Sequence, residues 1–334
     1  MNPSQGITST TVGPAKGRFV SLLRGLPFSE YFVLLLTLAL FLSLAPFAPG
    51  LASGSNILNT ASYLLPLFVA AVGMTVVMIT GGIDLSITSI IALASVTGAK
   101  VMTTHGDALH TVLGIFIMLS LGVALGALNG AMVALLRLPA FMVTLASMMF
   151  LSGFAIWSTQ SKNIYDLPAS FLALGKELPI ALSIVMVLAL GAHLFLRRTV
   201  YGHWLYAVGQ NSMAARISGV PVAGVVIGAY MASGFCAALA SVILTGRLET
   251  GSPVLGREIL LDIVGATVVG GTSLFGGRGK IAWTLFGVLF LALLDNALNL
   301  LNLSQFAITI AKGLVILLAA VLDSARQRFS RGAL

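Results

Sequence analysis

Residues 73–93 read GMTVVMITGGIDLSITSIIAL: an apolar run, a polar interruption from Thr80 to Ser86, and a second apolar run. Crossing a hydrocarbon layer about 30 Å thick takes roughly 20 apolar residues in an α-helix, so each run reads as part of a membrane span. Paired glycines release the backbone from helical geometry, and Asp84 or Ser86 can cap the free N–H groups of the next helix. The interruption is therefore a helix break followed by a helix start. It serves either as a capped turn or as a broken helix lining a translocation path, because irregular backbone at membrane depth is tolerated where it faces a cavity. Gly81, Gly82, Asp84 and Ser86 are the candidates for that role.

The same texture extends over the whole chain. Of 334 residues 58% are hydrophobic and 8% charged, with a mean hydropathy of +1.03. So few polar side chains cannot cover a soluble globule, and the chain is an integral membrane protein. Ten apolar runs read as spans: 31–48, 57–79, 86–104, 112–136, 140–160, 178–196, 222–245, 259–276, 281–301 and 305–322. The eighth, with Gly265, Gly270, Gly271, Gly276 and Gly277, also suits a broken or re-entrant helix. The fold class is all-α, a polytopic helical bundle of about ten spans over 31–325, with tails at 1–30 and 326–334.

Loop charge sets the orientation. With a cytoplasmic N-terminus the inside segments hold twelve Lys and Arg (Lys16, Arg18, Arg24, Arg137, Arg197, Arg198, Arg216, Arg278, Lys280, Arg326, Arg328, Arg331). The outside segments hold five (Lys100, Lys162, Lys176, Arg247, Arg257). This bias places both ends in the cytoplasm.

Several function classes are excluded. The net charge of +8 is scattered singly between apolar runs rather than gathered in a stripe, so no nucleic-acid partner is expected. Cys236 stands alone in an apolar run, and His105, His110, His193 and His203 never fall at metal-ligand spacing, so no metal site is expected. No paired carboxylates and no Ser/His/Asp or Cys/His arrangement suggest catalysis, and the chain is not read as an enzyme. A phosphate-binding loop needs G-x-x-x-x-G-K-[ST]; here Gly279-Lys280 is followed by Ile281, with Leu274 at the first glycine position. Residues 270–280 instead suit a tight cytoplasmic turn with Arg278 and Lys280 at lipid head groups.

Within the spans, Gly122, Gly126 and Gly130 form a small-residue ridge suited to close helix packing, with a substrate-facing role the second reading. Three ionisable residues stand inside spans, where charge is costly and is usually paired or functional. Asp262 is placed near an outer edge, in reach of water. Asp295 and Lys312 lie at matching depths, about 9 and 10 Å from the outer ends of the last two spans at 1.5 Å per residue, which predicts an interhelical ion pair. Asn129, Gln160, Asn296, Asn299 and Asn302 could bond a polar solute, or each other across helices, and Trp157 could stack on a face of that solute. The outside segment from Thr159 to Glu177 is a docking surface for an external protein or a passive lid.

The longest cytoplasmic insertion is Tyr201 to Pro221, YGHWLYAVGQNSMAARISGVP. Three stretches in order carry a family resemblance: Gly73 to Leu93, Tyr206-Ala207-Val208-Gly209-Gln210-Asn211 running on to Ala214-Ala215-Arg216-Ile217-Ser218-Gly219, and Gly270 to Gly279. Together they resemble the membrane permeases of the ribose/xylose/galactose branch of ATP-binding-cassette importers, over about residues 30–325. The resemblance implies that Tyr206, Gly209, Asn211, Ala214, Ala215, Arg216 and Gly219 belong to a coupling helix seated in a groove of an ATPase subunit. Ser212 and Met213 stand where an acidic residue would be expected.

The resemblance further implies a permease subunit for a monosaccharide in the bacterial inner membrane, without covalent chemistry. Its partners would be a cytoplasmic ATPase subunit, which holds the ATP, a periplasmic or lipid-anchored sugar-binding protein, and a second permease copy, identical or not. This chain itself would bind no cofactor. The sugar stays open among pentoses, hexoses and related furanosyl signals. An ion-coupled secondary transporter of a small polar solute is the alternative, and it would need a midplane site of carboxylates.

Overall fold

A computed structural model describes residues 32–104 and 107–331. The tail expected over 1–30, with Lys16, Arg18 and Arg24, lies outside the described residues, as does His105. Among the described residues thirteen α-helices follow one another: α1 (Phe32–Leu44), α2 (Gly54–Ile79), α3 (Ile87–Thr103), α4 (Ala108–Ala134), α5 (Ala140–Thr159), α6 (Ala169–Lys176), α7 (Leu178–Arg198), α8 (Val200–Gln210), α9 (Ser212–Ile217), α10 (Val222–Leu248), α11 (Leu260–Val269), α12 (Ile281–Leu300) and α13 (Gln305–Arg331). Among the described residues β-pairing is limited to an isolated bridge between Ile164 and Gly251.

The architecture is organised around α2. Every residue from Leu64 to Ile79 is buried, on all sides of the helix. A helix that is apolar around its whole circumference belongs in an interior, and α10, α12, α11, α7 and α8 enclose it. The outer helices turn large apolar side chains outward, among them Phe116 on α4, Met149 and Phe150 on α5, and Val187 and Leu190 on α7. An apolar core wrapped in an apolar exterior suits hydrocarbon as solvent and makes this a multi-pass membrane protein. Among the described residues six helices, α2, α4, α5, α7, α10 and α12, are long and apolar enough to cross a membrane.

Three expected spans differ. The run 259–276 is not one helix: a 3₁₀ turn at Arg257–Ile259 leads into α11, of only 10 residues, and the glycines from Gly270 onward form a chain of turns. The first run yields a helix of 13 residues, because the chain bends into successive turns before Gly54. At the other end α13 runs on to Arg331, so the tail expected over 326–334 begins as helix.

The ridge of Gly122, Gly126 and Gly130 on α4 faces α10. A Cβ at Gly126 would run into the Tyr230 carbonyl, and one at Gly130 would lie 2.7 Å from Ile227 Cα. The missing side chains let two backbones meet where lipid supplies no hydrophobic drive. Gly126→Val is expected to destabilise the protein by about 3 kcal/mol, since neither backbone can retreat. Gly153→Ala, at a position with open space around it, should leave the unfolding midpoint in detergent unchanged.

The connection 80–86, the pair α8–α9 and the turns 270–280 gather at one end of the bundle, as the bonds described below establish. Lys100 Nζ donating to Ser158 O at 2.5 Å, the Ile164–Gly251 bridge and the Lys176–Glu249 ion pair at 2.8 Å gather at the other. The segment from Thr159 to Glu177 contains α6, tied to the end of α10 at this opposite end.

Candidate functional site

The break after α2 is built from left-handed backbone at Gly81 (φ +83°) and from contact at Gly82, where a Cβ would lie 2.7 Å from the Tyr230 hydroxyl. The chain then turns back beside α2. Thr144 Oγ1 on α5 donates to Ile83 O at 3.1 Å. Asp84 follows, fully buried. Its Oδ1 accepts from Ser86 N at 3.0 Å and Ser86 Oγ at 2.5 Å, and its Oδ2 accepts from Ser233 Oγ of α10 at 2.7 Å. Asn129 Nδ2 of α4 donates to Ser86 Oγ at 2.8 Å, and Ser147 Oγ of α5 donates to Asn129 Oδ1 at 2.5 Å.

Every donor in this network points towards one carboxylate. A buried carboxylate is tolerated only when its lone pairs are met, and here Ser86 and Ser233 of α10 meet them, with Asn129 and Ser147 fixing Ser86 from behind. Ser86 was expected to be able to cap α3, but it makes no side-chain cap bond; its Oγ accepts from Asn129 instead, while its proton goes to Asp84. Asn129, a candidate for solute contact, is 1% exposed with both ends of its amide engaged.

The segment 201–221 is helical rather than a loop. Thr199 caps α8 by accepting from Gly202 N at 3.0 Å, and Asn211 caps α9 by accepting from Met213 N and Ala214 N, both at 3.0 Å. Of α9 only Ala215 is buried. Met213, Arg216 and Ile217 are exposed, Ile217 at 81%. Gly219, at φ +84°, makes the turn towards α10.

Three glycine-bearing backbones meet beneath α8. Gly277 N donates to Ile79 O, the last carbonyl of α2, at 2.8 Å, and a Cβ at Gly209 would collide with that carbonyl and lie 2.5 Å from Gly277 N. Tyr206 OH donates to Gly279 O at 2.9 Å; burial raises its pKa above the ordinary phenol value, so it stays a donor. The α8–α9 unit is thereby joined directly to the central helix and to the turns 270–280. In those turns Lys280 lies over the Trp283 ring, 4.7 Å from its centroid, rather than only at head groups.

In the opposite half of the bundle, Lys312 Nζ lies 2.6 Å from Asp295 Oδ1 and 3.1 Å from both oxygens of Asp262. Asp262 does not reach water as expected: its side chain is 8% exposed, because it sits in the first turn of α11, facing α13. The cluster has three members on three helices. Lys312→Met would leave two carboxylates without a cation and is expected to cost about 3 kcal/mol. Removing Asp295 together with Lys312 would still strand Asp262. The unfolding midpoint should therefore recover only in the triple variant with Asp262→Asn and Asp295→Asn.

The remaining amides are engaged with one another or with turns. Asn296 and Asn56 exchange two hydrogen bonds at 2.8 and 3.0 Å, and Asn299 donates to Asp295 at 3.1 Å. Gln160 and Asn302 hold left-handed backbone at turns. Trp157 lines an open groove of about 860 Å³ with Gln160, Lys100 and Lys162. Ser233, Ser147 and Tyr230 escaped the sequence reading, their sole signal being a hydroxyl inside an apolar run.

Fold and site together define a polytopic membrane protein with a helical appendage fastened to its central helix. The chain matches the family described as "Branched-chain amino acid transport system / permease component" over residues 56–322, and it belongs to that family. It is 36% identical to the ribose import permease protein RbsC of Escherichia coli (strain K12) over 303 residues, 88% of this chain and 93% of that protein. It is 37% identical to RbsC of Bacillus subtilis (strain 168) over 306 residues, 89% and 91% of the two chains. It is 34% identical to the L-arabinose transport system permease protein AraH of Escherichia coli (strain K12) over 316 residues, 90% and 92%. No solved structure matches.

Proposed function

We propose that this chain is the transmembrane permease subunit of an ATP-binding-cassette importer and forms the path for a monosaccharide delivered by a solute-binding protein. The observation that carries the reading is identity of 34–37% to ribose and L-arabinose permeases over nearly the full length of both chains. The family's description names branched-chain amino acids; the full-length relatives favour a sugar. The chain performs no covalent chemistry in this reading, and ATP is bound by a separate ATPase subunit.

The ten runs correspond to ten passes, the eighth a broken one made of segment 249–259 and α11. Both ends are cytoplasmic, and the α8–α9 end faces the ATPase. The exposed side chains of α9 suit docking, and Gly209 against Ile79 and Gly277 carries the motion inward. A second permease copy completes the path.

The charged cluster of Asp262, Asp295 and Lys312 favours one other reading, an ion-coupled transporter. The lysine between the two carboxylates suits a structural tie better. Uptake of radiolabelled ribose or arabinose into proteoliposomes containing the full complex decides: the importer reading expects dependence on ATP and the ATPase subunit. Uptake driven by an ion gradient without that subunit would overturn it.

A further inference from the structure

The segment between α10 and α11 descends deep into the bundle. Gly251 packs on Ala99 and Ser95 of α3, Ser252 N donates to Ser95 Oγ at 3.3 Å, and Gly256 packs on Ile91. Ile91 is about 18 Å along α3 from its Thr103 end at 1.5 Å per residue. The guanidinium of Arg247, which ends α10, stacks 5.7 Å from the ring of Tyr63, and Tyr63 is about 14 Å along α2 from Gly54 by the same rise. Half the hydrocarbon thickness is about 15 Å. The contact with Ile91 thus puts Gly256 and its neighbours near the middle of the membrane, on turn and 3₁₀ backbone.

Arg257 and Glu258 stand at this level with exposed side chains, neither with a side-chain partner among the described residues. Val254 (49%) and Leu261 (64%) flank them. Irregular backbone and two unpaired charges cannot face lipid at that depth, because each would cost several kcal/mol.

We infer that residues 249–261 line a water-filled vestibule open at the α6 end of the bundle, with Arg257 and Glu258 at its floor making the first contact with the solute. Side by side they offer five N–H donors and a carboxylate acceptor. That set suits a neutral polyhydroxylated solute, whose hydroxyls donate and accept, better than an apolar amino-acid side chain. The solute class rests on the permease reading above; the vestibule does not.

The test uses the full chain, with its partners, in lipid nanodiscs, where both faces are open to reagent whatever the orientation. In a Cys236→Ala background, Arg257→Cys, Lys162→Cys at an exposed turn and Leu190→Cys on the outward face of α7 are treated with a charged, membrane-impermeant thiol reagent. The vestibule expects Arg257→Cys to react within about tenfold of Lys162→Cys and at least about tenfold faster than Leu190→Cys, since a charged reagent is excluded from hydrocarbon. Reaction as slow as at Leu190→Cys overturns the vestibule. So does spontaneous disulfide-linked dimerisation of Arg257→Cys, which would make this face a contact between copies.

Arg257→Gln and Glu258→Gln are expected to lower ATP-dependent sugar uptake at least about fivefold at unchanged expression, since donors and acceptors of the solute would lose their partners. Uptake at the parental rate overturns the solute contact. Fast labelling in a complex that never imports sugar sinks the permease reading and leaves the vestibule standing.

Discussion

Asp84→Ala is expected to lose about 3 kcal/mol and with it most of the folded population in detergent. Its two oxygens accept from Ser86 N, Ser86 Oγ and Ser233 Oγ inside a site without water access. Removing the acceptor leaves three donors unmet at about 1–3 kcal/mol each, partly recovered as hydroxyls rotate towards nearby carbonyls. The consequence spreads, because Ser86 is also the acceptor for Asn129, which anchors Ser147. Asp84→Asn keeps one acceptor oxygen and should fall about midway. The comparison is made by thermal unfolding of purified protein. An Asp84→Ala midpoint equal to the parent's would show that the network contributes nothing to the fold.

The largest expected effect on transport belongs to Gly209→Val. A side chain there meets the carbonyl of Ile79 and the amide of Gly277, both backbone atoms already hydrogen-bonded to each other at 2.8 Å. Either α8 lifts away from the bundle or the Gly277–Ile79 bond opens; both break the link between α9 and the central helix. ATP-dependent sugar uptake should fall at least about tenfold, at a packing cost of about 1–3 kcal/mol that leaves the protein foldable. Gly224→Ala, where nothing lies within 4 Å of an added Cβ, serves as control and should import normally. Parental uptake by Gly209→Val would mean that α8 carries no motion inward.

What could be read from the sequence follows the reach of each signal. Apolar runs announce buried or lipid-facing helices because hydrocarbon demands them, and α2, α4, α5, α7, α10 and α12 lie close to their expected bounds. The eighth run is not one continuous span, and its glycines gave the alternative of a broken helix that the short α11 and the turns after Val269 agree with; hydropathy alone, which counts Gly265, Gly270 and Gly271 as neutral, does not separate the two. Asp84 stood out as a lone carboxylate between apolar runs, yet its partners Ser233 and Asn129 are distant in the chain, and a single hydroxyl in a helix carries no pattern. Lys312 could be paired with Asp295 by depth, since both follow intact helices. Asp262 was misplaced because its depth depends on the descending segment 249–259, which leaves no periodic trace.

The full enclosure of α2 bears on how the chain is made. Being apolar on every side, it can wait in lipid after translation, and it becomes wrapped only when α10, α11 and α12 emerge from the ribosome well over a hundred residues later. Asp84 is then exposed to hydrocarbon, or held at the translocon, until Ser233 arrives. A nascent chain stalled before α10 would hold the Asp84 carboxylate against Ser86 alone, one donor short of its finished setting.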